Sequence, residues 1–75
     1  MNLIEIAKIY TDLVRLEKMI PEQDFEAKDL ANALRTKYHE ILIGKMREEK
    51  IEFVDRFDVT NKAFELVKET ERQVK

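Results

Sequence analysis

Residues 2–20 place apolar side chains at helical spacing, and the only proline of the chain, Pro21, ends the run. On a wheel of about 100° per residue, Leu3, Ile6, Ala7, Ile9, Tyr10, Leu13, Val14, Leu16 and Ile20 fill roughly half the circumference. Lys8, Thr11, Asp12, Arg15 and Lys18 fill much of the rest. An apolar arc that wide predicts contact with more than one other element. Asn2 is placed to cap this helix, with Glu5 three residues on. Pro21 lacks the amide hydrogen a continuing helix needs. Glu17 falls inside the apolar arc, so it is expected to reach water at the helix end or to pair with a basic residue.

A chain of 75 residues makes one domain, 1–75, and buries only about 60% of its unfolded surface. Small domains often add disulfides or metals, and this chain has no cysteine and one histidine. Stability is therefore expected from helix packing and from self-association, with a homodimer as the predicted state. Ile4, Met19 and Tyr10 of the first helix are the expected interface. The stretch Leu3 to Ile9 is interrupted by Glu5 and Lys8, which does not read as a signal peptide. No apolar run approaches the roughly 18 residues of a membrane span, so no membrane partner and a cytoplasmic location are expected. Lys and Arg number 14 against 16 Asp and Glu, a net charge of −2. That balance counts against nucleic acid as a partner, although local clustering matters more than the sum.

Pro21 to Phe25 is a short connection in which Asp24 can cap the next helix. Ala27, Leu30, Ala31 and Leu34 then form a helical stripe, Arg35-Thr36-Lys37 interrupts it, and Tyr38, Ile41, Leu42 and Met46 restart it. The drift in phase between the two stripes predicts two helices, 26–34 and 37–49, with a turn between. After Lys50 the period shortens: Ile51, Phe53, Phe57 and Val59 alternate with polar residues. Period two predicts a β-hairpin over 50–60 with Asp55-Arg56 at its tip and Phe53 and Phe57 buried; helix through the same stretch is the alternative. Thr60 is expected to cap a last helix, 61–73, with Ala63, Phe64, Val67 and Val74 inward. The expected fold is mainly α (α+β) in the order α-α-α-β-β-α, with an all-α helical bundle as the alternative.

Catalysis finds little support. There is no serine, no cysteine nucleophile and a single glycine, which rules out a Gly-rich phosphate loop. His39 has no second histidine at metal-ligand spacing. Carboxylate pairs such as Glu65 and Glu69 read as solvated charges in a chain this acidic. No catalytic residue, no metal site and no cofactor are expected.

Asp29-Leu30-Ala31-Asn32-Ala33-Leu34 resembles the second helix of winged helix-turn-helix domains. The helix from Tyr38 to Glu49 would then be the recognition helix. The segment from Glu48 to Glu69, EEKIEFVDRFDVTNKAFELVKE, is similar to the wing and closing helix of that superfamily. The similarity covers residues 25–69. It departs from the pattern at Glu49-Lys50, where glycine is common, and at the short wing tip. The resemblance implies a small DNA-binding protein, a transcriptional regulator or nucleic-acid-associated factor, reading DNA with helix 37–49. Thr36, Lys37, Glu40, Ile43, Gly44 and Arg47 would face outward, in the most basic window of the chain, and Arg56 would meet backbone phosphate. The nucleic-acid-binding set is then Arg35, Lys37, His39, Ile43, Arg47 and Arg56. The competing reading, from the acidic balance, is a protein–protein interaction module or small inhibitor that binds no nucleic acid.

Overall fold

The computed structural model describes residues 1–73. They form three helices, α1 (Leu3–Met19), α2 (Phe25–Glu48) and α3 (Arg56–Gln73), and no strand occurs among the described residues. The fold is the all-α alternative; the wing is not formed. Val74, expected inward, lies outside the described residues. The start of α1 follows the sequence reading, since the Asn2 side chain accepts a hydrogen bond from the Glu5 amide at 2.8 Å. Asp24 likewise caps α2 by accepting from the Ala27 amide at 3.2 Å.

The expected helices 26–34 and 37–49 are one helix of 24 residues. Nothing between Arg35 and Lys37 can break it: the segment holds neither glycine nor proline, and arginine and lysine are good helix formers. The helix ends in a Schellman turn. The Ile51 amide donates to the Met46 carbonyl at 2.9 Å and the Lys50 amide to the Arg47 carbonyl at 3.1 Å. Lys50 takes the left-handed position, with φ of 59°, that glycine usually fills.

The hairpin expected over 50–60 is replaced by a short connection and the first turn of α3. Asp55 accepts from the Asp58 amide at 2.9 Å, and the Asp58 side chain accepts from the Val54 amide at 2.9 Å. These two bonds start the helix five residues before the expected cap, Thr60. The period-two pattern dissolves as a result. Val59 belongs with Ala63 and Val67 on one helical face and is fully buried, whereas Phe57 points away from it and is 83% exposed. Phe53, expected to be buried, is half-buried and packs on the core; Phe57, also expected to be buried, is exposed.

α1 and α2 form an antiparallel hairpin, and α3 lies against one face of it. Contacts fix the heights. Tyr10 of α1 meets His39 of α2, with ring centroids 5.4 Å apart, and Glu17 meets Arg35 at 2.7 Å. Tyr10 also shares a 2.8 Å hydrogen bond with Thr60 near the start of α3. Val67 and Thr70 of α3 line a cleft with Ile4 and Lys8. α3 therefore covers the half of the hairpin that holds the start of α1, and the half towards the 20–24 connection projects beyond it. The core sits under α3: Leu3, Ile6, Ala7 and Tyr10 meet Leu42, Ile43, Met46, Val59, Ala63 and Val67.

Candidate functional site

The six residues expected to contact nucleic acid separate into three groups. Arg35 and Arg56 are held by carboxylates. The Arg35 Nε donates to Glu17 at 2.7 Å and its Nη2 to Asn32 at 2.8 Å, while Arg56 donates to Glu40. The hydrogen bond that Arg35 donates to Glu17 raises the Arg35 pKa above its usual value, against a smaller opposing effect of burial. His39 and Ile43 are buried, not outward-facing. The His39 Nε2 lies 3.1 Å from the Arg56 carbonyl oxygen, so the imidazole ties α2 to the start of α3. Lys37 and Arg47 are exposed. Three of the six, Arg35, His39 and Arg56, converge with Tyr10 on a cleft of about 430 Å³ where α3 begins. Their polar groups bond one another or neighbouring carboxylates and carbonyls, which makes the cluster a junction of the three helices.

The three residues expected at a dimer interface also divide. Tyr10 is buried in the core and cannot meet another chain. Ile4 is partly covered by α3. Met19 is 79% exposed, near the end of the hairpin.

Sequence reasoning missed a different surface. α2 carries apolar residues in two registers. Ala31, Leu42, Ile43 and Met46 face the core. Leu30, Leu34 and Ile41 lie roughly 130° round the wheel from that face and stand 64%, 38% and 40% exposed. α1 repeats the pattern: Leu3, Ala7, Tyr10 and Val14 face inward, whereas Ile9, Leu13, Leu16 and Ile20 form a second row that is half-buried or exposed. The contacts between the helices orient both rows. On α1, the residues that meet α2 (Tyr10 and Glu17) lie between the second row and the side turned to α3. On α2, the side that meets α1 likewise lies between its exposed row and His39, which touches α3. Both rows thus point out of the same face of the hairpin, the one α3 does not cover. The contact between the helices in the projecting half is polar: Lys28 donates to the Glu17 carbonyl at 2.8 Å beside the Glu17–Arg35 pair. The two registers on α2 were legible as the phase drift between its stripes, which was read as a break in the helix.

Among the described residues no three His, Cys, Asp or Glu side chains converge where a metal ion could sit. No helix of the described residues is long and apolar enough to cross a membrane. Comparison with protein-family models, with curated proteins and with solved structures finds no match for the chain.

Proposed function

We propose that the protein is a helical interaction module that works through the outer face of its α1–α2 hairpin. The observation that carries this reading is the pair of apolar rows on one uncovered face of the hairpin, whose two helices are joined by the Glu17–Arg35 ion pair. An isolated exposed leucine needs no explanation, but a contiguous apolar face rimmed by polar residues is the mark of a docking surface. Helix-on-helix packing is the mode that two rows spaced three and four residues apart support.

Nucleic-acid binding has thinner support. Arg35 and Arg56 are neutralised by Glu17 and Glu40, and Lys45 lies 3.8 Å from Glu48. Lys37 and Arg47 remain, about 15 Å apart along α2 with Glu40 between them. Phosphate binding draws its affinity from clustered positive charge, and a net charge of −2 opposes it.

Fluorescence anisotropy on a mixed-sequence duplex at about 50 mM salt, where electrostatic binding is strong, is expected to show no complex. Leu34→Glu is expected to change how the protein associates while leaving its circular dichroism intact. A DNA complex weakened by Lys37→Ala and Arg47→Ala would replace this reading with nucleic-acid binding.

A further inference from the structure

We infer that the occupant of the outer hairpin face is a second copy of this chain, joined about a two-fold axis parallel to the helices to make an antiparallel four-helix bundle. This rests on the proposed docking role of that face and names its partner.

The Tyr10–His39 and Glu17–Arg35 contacts set which residues of α1 and α2 stand at equal height in the hairpin. By that scale the second row of α1, from Ile9 to Ile20, spans the same heights as Ile41 to Leu30 on α2. A two-fold axis along the helices keeps heights unchanged and swaps sides, so α1 of each copy lies over α2 of the other. Leu13 and Leu16 then enter the spaces between Leu30, Leu34 and Ile41 across the interface. Every neighbouring pair of helices in the resulting square runs antiparallel, the favoured arrangement of such bundles.

Charge and backbone agree with that pairing. Asp12 and Glu5 lie on the outer flank of α1, and Lys37 and Gly44 on the outer flank of α2. Asp12 stands level with Lys37, and Glu5 with Gly44. The pairing therefore sets the Asp12 carboxylate beside the ammonium of Lys37 in the other copy, twice per dimer. Gly44 is exposed near the C-terminal end of α2, with nothing within 4 Å of where a Cβ would stand. Glycine there weakens the isolated helix, and its bare backbone lets another helix approach closely.

The size also fits. α1 is about 25 Å long, and packed helices lie some 8–10 Å apart. The face is then about 25 × 20 Å in projection, which with side-chain relief approaches the roughly 800 Å² per partner of a standard interface. A chain with no disulfide and a core confined under α3 gains most from covering this face.

The test is molar mass by light scattering from about 1 to 100 µM, since dimer population follows protein concentration by mass action, with the apolar dye anilinonaphthalene sulfonate added to the same samples. The expected results are a mass of twice 9.0 kDa at the upper end, little dye binding there, and dye uptake on dilution. Leu34→Glu should yield a folded monomer, raising the dissociation constant about 100-fold or more by placing an unpaired charge in the interface. Asp12→Lys should weaken the dimer, and Asp12→Lys with Lys37→Asp should restore it; restoration is a readout that misfolding cannot imitate. A monomer throughout whose dye binding disappears in Leu34→Glu would overturn the homodimer and leave a docking face for another protein. A monomer that binds no dye would overturn both readings.

Discussion

Glu17, the one acid inside the apolar arc of α1, is joined to Arg35 of α2 by a 2.7 Å hydrogen-bonded ion pair, and both side chains are about two-thirds buried. The bond locks the projecting half of the hairpin, where few apolar residues meet across the helices. It also occupies an arginine that a nucleic-acid surface would need. Removing either partner leaves the other charge poorly solvated. Glu17→Gln should cost about 1 kcal/mol, above the usual surface pair because of the partial burial. A double-mutant cycle with Arg35→Met, followed by urea denaturation at fixed protein concentration, should give a coupling of similar size. A coupling near zero would mean that packing alone holds this end.

Tyr10 joins all three helices: it is buried in the core, its ring meets His39, and its hydroxyl bonds Thr60. Tyr10→Phe keeps the packing and removes the hydrogen bond, leaving the Thr60 hydroxyl without that partner. The expected loss is about 1 kcal/mol. Thr60→Ser should lose less, since a hydroxyl remains. A loss in Thr60→Ser as large as that in Tyr10→Phe would show that the Thr60 methyl counts as much as the bond.

Val59 and Phe57 reverse the order that residue size suggests. Val59 is fully buried and Phe57 is 83% exposed. Val59→Ala should cost about 1–3 kcal/mol through lost burial and the cavity left behind, while Phe57→Ala should lie within about 0.5 kcal/mol of wild type. Thermal or urea unfolding of the two variants checks this, and a larger loss for Phe57→Ala would restore the hairpin account of residues 50–60.

The contrast shows how much of the molecule was legible in its sequence. α1, its Asn2 cap, the stop at Pro21 and the Asp24 cap follow from local chemistry, because capping oxygens and proline act over a few residues. The absence of a wing was harder to read. Ile51, Phe53, Phe57 and Val59 alternate, yet the Asp55-x-x-Asp58 pair beneath that pattern is a helix start, and it prevails. Lys50 hid the end of α2, since the left-handed turn falls on a residue that gives no glycine signal. Glu17 could be read as needing a basic partner, but which one depends on the pairing of the hairpin. The outer apolar face was visible only as a drift of phase along α2; deciding between a break and a second face required knowing that the helix is continuous.

Lys50 sits at φ 59°, where a side chain crowds the following carbonyl. Lys50→Gly should relieve roughly 1 kcal/mol and raise the melting temperature by several degrees. A melting temperature unchanged or lowered would mean that the lysine side chain makes a compensating contact.

Gly44 separates the folding of one chain from the pairing of two. Its surroundings in a single chain are open, so Gly44→Ala should stabilise α2 by about 1 kcal/mol wherever the protein is monomeric. The same methyl lies where the second helix approaches, so the dimer should dissociate more readily. Light scattering together with thermal melts on a dilution series checks both signs. An alanine variant that dimerises as tightly as wild type would remove Gly44 from the interface.

In the proposed dimer the outer rows of two hairpins meet. A mixture of chains carrying ¹³C-labelled leucine methyls and unlabelled chains, studied by isotope-filtered nuclear Overhauser spectroscopy, reads that contact directly. This pairing predicts intermolecular cross-peaks between the methyls of Leu13 or Leu16 in one chain and those of Leu30 or Leu34 in the other, and none from buried Leu3 or Leu42. A dimer with no cross-peak from Leu16 or Leu34, or a sample with no intermolecular cross-peaks at all, would contradict it.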